Sequence, residues 1–193
     1  FLQVGSSIEY GKIVSPQKEN IINKQKTYSI YGKAKLMSTK FLLNLSKKYD
    51  FPTTIMRLYL VYGPYQDVNR IVPITIKNAI ENKKFDCSSG VQLRDFIYVD
   101  DVISAIIKIL KNNKVKGKII NIGTGKPVSV KKVILKICKL SNGGKPQFGK
   151  IQLRKDEILK LYPNVSNAKK LLNWSAKITL NNGLKKCIKY LKR

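Results

Sequence analysis

Tyr31 and Lys35 stand four residues apart in Tyr31-Gly32-Lys33-Ala34-Lys35, downstream of Ser6 in Gly5-Ser6-Ser7-Ile8-Glu9-Tyr10-Gly11. On a helix, positions i and i+4 share a face, so a phenol and an ammonium at this spacing point into the same cleft. A free phenol titrates near about pH 10 and a neighbouring ammonium favours its ionised form, so such a pair can move a proton. A strand ending near Ser6 would place a hydroxyl opposite them. The spacing by itself carries no weight. With 10 Tyr and 33 Lys (38 basic residues, five of them Arg) in 193 residues, one or two Tyr-x-x-x-Lys matches are expected by chance, and the chain holds one.

Composition narrows the chemistry. The chain has no His, which excludes the usual zinc sites and every His-based catalytic triad. Acid/base work near neutral pH then falls to Tyr, Lys, Cys or a carboxylate. Cys87, Cys138 and Cys187 are widely spaced, without Cys-x-x-Cys, and read as reduced structural thiols, with no metal site. The net charge of +27 comes almost wholly from Lys spread from Lys12 to Lys192, which reads as a solvated surface rather than a specific nucleic-acid interface. An anionic nucleotide substrate would benefit from the same field. A basic nucleic-acid-binding module is the alternative from another functional class. No secretory signal and no membrane-length apolar run is present, so a soluble cytoplasmic protein without membrane partners is expected. The chain opens on Phe-Leu-Gln-Val, with no Met, as a buried strand with nothing before it to pair with, and the expectation is N-terminal truncation.

The elements that must position Ser6, Tyr31 and Lys35 alternate strand and helix. Leu2–Val4 reads as a strand and 5–20 as a loop. The apolar positions Tyr31, Ala34, Leu36, Phe41, Leu42 and Leu45 predict a helix over 29–48 with Lys outside. Strands are expected at 53–58, 96–99 and 118–122, and helices at 71–82, 102–110, 128–140, 165–172 and 180–191. The stretch 59–69 reads as an aromatic loop, Gly123-Thr124-Gly125 as a turn, and Asp100-Asp101 as a helix-capping signal. Alternation of this kind implies an α/β fold with largely parallel pairing.

The ordered set Gly5-Ser6-Ser7-Ile8-Glu9-Tyr10-Gly11, Tyr31-x-x-x-Lys35, Arg57-Leu-Tyr-Leu-Val-Tyr-Gly-Pro64, Arg94-Asp-Phe-Ile-Tyr-Val-Asp-Asp101, Asn121-Ile-Gly-Thr-Gly125 and Lys169-Lys-Leu-Leu-Asn-Trp174 resembles the extended short-chain dehydrogenase/reductase family, the NAD-dependent epimerases and dehydratases of nucleotide sugars. The resemblance implies the C-terminal part of a Rossmann-like doubly wound parallel sheet plus a smaller mixed α/β substrate-binding lobe. Residues 1–64 would belong to the NAD(P)-binding domain and 65–193 mainly to the lobe, with segments near 94–122 returning to the sheet. It implies Tyr31 as the proton-transfer residue, Lys35 at the cofactor ribose, Ser6 on the reacting oxygen and Leu58 at the cofactor. Arg94 and Arg154 match substrate-binding arginines, whose guanidinium forks can chelate phosphate oxygens. Leu60 stands in the substrate site where many members carry Asn. Arg57 and Trp174 read as structural. The expected partners are a nucleotide-diphosphate sugar and, at full length, a second copy of the chain.

Two departures bear on activity. The glycine-rich dinucleotide fingerprint is absent, so NAD against NADP stays open, and at roughly 30 residues per βαβ unit about 100 residues of cofactor-binding half are expected to lie outside this sequence. These 193 residues alone are expected to bind NAD poorly and to be inactive. The dehydratases carry acidic residues just after the Ser/Thr, where this chain has Ser7 and Ile8, which disfavours dehydration. Epimerisation with bound NAD and one-way reduction of a 4-keto sugar with NADPH remain.

Overall fold

The computed structural model describes residues 1–20, 27 and 29–192. Three strands, β1 (Leu2–Ser6), β2 (Thr54–Leu58) and β7 (Lys118–Ile122), form a parallel sheet in the order β1-β2-β7. Their register aligns Ser6, Leu58 and Ile122 in one row at the carboxyl ends. Parallel neighbours need long crossovers, and helix α1 (Ile30–Tyr49) supplies the one between β1 and β2. Ser29 starts α1 by accepting the Gly32 amide at 3.0 Å, and Asp50, left-handed at φ 49°, ends it.

The two-residue period of the strands sorts the core. Ile55 and Ile119 face α1 and pack with its Leu42. Met56, Ile120 and Ile122 face the other way, against α3 (Val99–Leu110) and α5 (Ser166–Leu172), with Val102, Ala105, Leu172 and Trp174. Arg57 shares the parity of Ile55, and Asn121 that of Ile119, so both polar side chains enter the α1 side of the sheet and are fully buried there.

A second core joins β3 (Leu60–Tyr62) and β6 (Phe96–Tyr98), which pair in parallel, to α2 (Ile71–Ile80), α4 (Val130–Ser141) and α6 (Leu180–Leu191). Tyr62 packs edge-on against Tyr98 and Phe96, with ring centroids 5.5 and 6.3 Å apart. Gly183 lets α6 approach: a Cβ there would lie 2.2 Å from the Tyr62 hydroxyl. Further pairs complete the layer, β4 (Lys84–Cys87) with β9 (Lys145–Phe148), and β5 (Leu93–Arg94) between β8 (Val128–Ser129) and β10 (Lys160–Leu161).

The mixed α/β architecture with parallel strands matches the expectation, and the differences are local. The loop expected over 59–69 contains β3, formed because Leu60–Tyr62 lie alongside Phe96–Tyr98. β4, β5, β8, β9 and β10 went unread because strands of two to four residues are too short for alternation to stand out, even in β4, where it is present. On α1, Tyr31, Ala34 and Phe41 face outward, while Leu36, Thr39 and Leu42 are buried. Asp100 and Asp101 lie in the first turn of α3 but do not cap it: the N-cap is Tyr98, with no side-chain bond. Asp101 is instead buried and accepts the amides of Lys177 and Ile178 at 3.0 and 2.9 Å. No helix among the described residues is long and apolar enough to cross a membrane.

Candidate active site

Ligands of open α/β sheets bind beyond the carboxyl ends of the strands, and Ser6 and Leu58 end β1 and β2 there. Ser6 caps a short 3-10 helix, Ser7–Tyr10, its hydroxyl accepting the Ile8 amide at 3.4 Å. The reciprocal bond runs from the Ser6 amide to Glu9 Oε1 at 2.8 Å. Capping therefore turns Glu9 back over Gly5, where any Cβ would lie 2.6 Å from its carboxylate oxygen.

The second carboxylate oxygen of Glu9 accepts three bonds: from Thr39 Oγ1 at 2.8 Å, Arg57 Nε at 3.0 Å and Arg57 Nη2 at 2.8 Å. Both ionic side chains are 0% exposed. The Arg57 guanidinium also stacks 4.4 Å from the Tyr10 ring centroid. Tyr10 donates its hydroxyl to Asn121 Oδ1 at 2.7 Å, and burial, opposed in part by Arg57, pushes its pKa up to about 12, so it stays a donor at neutral pH. Asn121 continues outward: its amide donates to Glu19 Oε1 and its Nδ2 to the Gln17 carbonyl, each at 2.9 Å. Tyr59 donates to Gln17 Oε1 at 3.0 Å, and burial raises its pKa too. Burial also raises the pKa of Glu19, with the Asn121 amide opposing.

Against this interlocked layer, Tyr31 is 58% exposed at the start of α1. Lys35 links the helix to the strand. Its Nζ donates to the Val4 carbonyl at 2.9 Å and lies 5.8 Å from the Tyr31 ring centroid. The helical spacing therefore does put the pair on one face, beside the strand that ends in Ser6.

The residues matched to substrate binding sit on the neighbouring layer. Leu60, half-buried, donates its amide to the Asp95 carbonyl at 3.0 Å, which brings β3 beside the strand following Arg94. Arg94 is ion-paired with Glu157, and burial pulls its pKa down while Glu157 opposes that shift. Arg154 is exposed; its carbonyl accepts the Glu157 amide at 3.0 Å in the turn that carries Glu157 to Arg94. Asp95, fully buried, holds the Gly123–Gly125 turn through Thr124 N (2.8 Å), Thr124 Oγ1 (3.0 Å) and Gly125 N (2.7 Å). Burial raises its pKa, and the Thr124 bonds oppose.

Sequence reasoning missed Glu9, Thr39, Asp95, Asn121 and Glu157. One signal was available, because a charged residue inside an apolar strand, such as Arg57 in Thr-Ile-Met-Arg-Leu, demands a buried partner. Which acid supplies it is a question of tertiary proximity.

Comparison with known proteins finds relatives along the whole chain. The chain is 33% identical over 177 residues to CDP-abequose synthase of Salmonella muenchen, covering 88% of this chain and 60% of that protein. It is 30% identical over 196 residues to human dTDP-D-glucose 4,6-dehydratase, covering 98% of this chain and 55% of that protein. Among solved structures, UDP-glucuronic acid 4-epimerase from Bacillus cereus, in complex with UDP-glucuronic acid and NAD, superposes with a TM-score of 0.90 at 28% identity, covering all of this chain and 61% of that one. The chain thus spans 55–61% of the length of these relatives. The profile of the NAD dependent epimerase/dehydratase family matches residues 1–123, the stretch that holds the three-stranded sheet, Ser6, the Tyr31/Lys35 pair and the buried Glu9–Arg57 layer, and the chain belongs to that family.

Proposed function

We propose that the full-length protein is a nucleotide-sugar epimerase in which Tyr31 exchanges the proton of a sugar hydroxyl. The observation that supports this most directly is Lys35, whose ammonium is held by the Val4 carbonyl beside the Tyr31 ring at the carboxyl end of β1. As phenolate, Tyr31 takes the proton of the reacting sugar hydroxyl and, as the resulting phenol, returns it, and Ser6 hydrogen-bonds the same oxygen. Arg94 and Arg154 bind the diphosphate, with Glu157 giving way to it, and Leu60 stands beside the substrate phosphates.

The residues present fit the nicotinamide-ribose end of NAD or NADP, since Lys35 holds a fixed positive charge at the Val4 carbonyl, beside the Tyr31 ring, and Leu58 ends β2 in the same row as Ser6. The bound cofactor supplies the hydride acceptor and donor. The sequence contains no glycine fingerprint to cradle its pyrophosphate, so the 193 residues alone are expected to bind it poorly. Residues 1–64 are read as part of the cofactor domain and 65–193 as mainly the substrate lobe, with 94–122 returning to the sheet. Exposed Met37 and Phe41 on α1 support self-association of the full-length enzyme as a dimer, and the reading calls on no specific nucleic-acid or membrane partner.

Glu9 bears on the choice of reaction. It is the acid nearest Ser6 in sequence, yet its carboxylate is fully buried and engaged by Ser6, Thr39 and Arg57, so it is not free to protonate a departing hydroxyl. This supports epimerisation over dehydration. Incubation of the full-length protein with a nucleotide sugar tests the reading. Epimerisation without added cofactor is the expected result, and stoichiometric NADPH consumption would favour the 4-keto-sugar reductase instead. Tyr31→Phe should abolish turnover while leaving nucleotide-sugar binding nearly intact, and retained activity would overturn the role of Tyr31.

A further inference from the structure

Ser6, Tyr31 and Lys35 come from two elements, and a proton-transfer site works only if those elements hold a fixed offset. Among the described residues, two hydrogen-bonded links join the β1 end to α1. One is the Lys35 Nζ bond to the Val4 carbonyl, made by a residue of the proposed proton-transfer site itself. The other runs through Glu9. Its Oε1 accepts the Ser6 amide at 2.8 Å, and its Oε2 accepts the hydroxyl of Thr39, one helical turn beyond Lys35, at 2.8 Å. Arg57, bonded to the same Oε2 from β2, fixes the carboxylate from the sheet side. One buried carboxylate therefore clamps the strand end bearing Ser6 to the helix bearing Tyr31 and Lys35.

We propose that Glu9 is a positioning residue for the reaction, acting through the Ser6 amide and the Thr39 hydroxyl, which sets the distance between the Ser6 hydroxyl and the Tyr31/Lys35 pair. The inference rests on the proposed role of Tyr31. Positioning is catalytically steep, because a displacement of about 1 Å can cost on the order of 100-fold in rate. Gly5 fits this arrangement, since any side chain there would strike the carboxylate.

Glu9→Ala strands the Arg57 cation and endangers folding, so the informative variant is Thr39→Val, which keeps the shape and the ion pair but removes the helix-side bond. In the full-length enzyme, Thr39→Val should lower kcat by about tenfold with KM for the nucleotide sugar nearly unchanged and the thermal midpoint lowered by only a few degrees, and Thr39→Ser should restore both kcat and the midpoint. Hydrogen exchange at the Ser6 amide should accelerate in Thr39→Val and recover in Thr39→Ser. A folded Thr39→Val with full kcat, beside an inactive Tyr31→Phe, overturns the positioning role alone. A fully active Tyr31→Phe overturns the reading of the site and this inference with it.

Discussion

Glu9–Arg57 and Arg94–Glu157 are the same chemical pair in two environments. The first lies under the sheet with both side chains at 0% exposure, and the second lies at the edge of the outer layer at 12% and 22%. Under the sheet, the carboxylate is also bonded by the Ser6 amide and the Thr39 hydroxyl, while the guanidinium stacks on Tyr10. At the edge, Arg94 has Glu157 and its neighbour's Leu93 carbonyl, at 2.9 Å. A buried pair that loses one member leaves a charge that water cannot reach, whereas a pair that water already touches can be opened and resolvated. The inner pair is therefore suited to fixing geometry, and the outer pair to exchanging partners.

Substitutions can break this contrast in descending order of effect. Arg57→Met should destabilise the fold by about 3–5 kcal/mol in denaturant titration, because Glu9 is left buried without its cation. A loss below about 1 kcal/mol would mean that the inner pair is no more committed than the outer one. Asp101→Asn tests a buried carboxylate satisfied by two amides and no cation. It should cost about 1–2 kcal/mol, since its two oxygens hold Lys177 and Ile178 and an amide can accept at only one of them. Arg94→Ala should cost about 1 kcal/mol or less in stability yet weaken nucleotide-sugar binding in calorimetry, and unchanged affinity would remove Arg94 from the substrate site.

The smallest effect is a matter of pH. Burial raises the pKa of Glu19 in the folded state, so the native protein keeps a proton that the unfolded chain releases earlier. The resulting stability is present in acid and lost as pH rises through the folded pKa. Glu19→Gln keeps an oxygen for the Asn121 amide and removes the charge. Between about pH 4 and 7 its thermal midpoint should fall less than that of the wild type, and parallel pH profiles would refute the buried-carboxylate account.

Much of the scaffold was legible in the sequence because period and punctuation are local. The α1 helix was expected over 29–48 and spans Ile30–Tyr49, and 118–122 and 180–191 were placed to the residue. Misreadings came where local signals compete. Leu60–Tyr62 looked like loop beside Gly63-Pro64, and only Phe96–Tyr98 alongside makes it a strand. Asp101 resembled a cap because an acid at a helix start favours the dipole, yet the 177–178 amides claim it.

The sequence by itself determined the α/β class and the family resemblance, and put Tyr31 and Lys35 on one helical face, since these depend on order and spacing along the chain. Tertiary structure alone decided that Glu9 meets Arg57 and Thr39, 48 and 30 residues away, and that Glu157 meets Arg94 across 63. The physical reason is that a buried charge needs a partner, but which one it finds depends on sheet register, and register is set by the core as a whole.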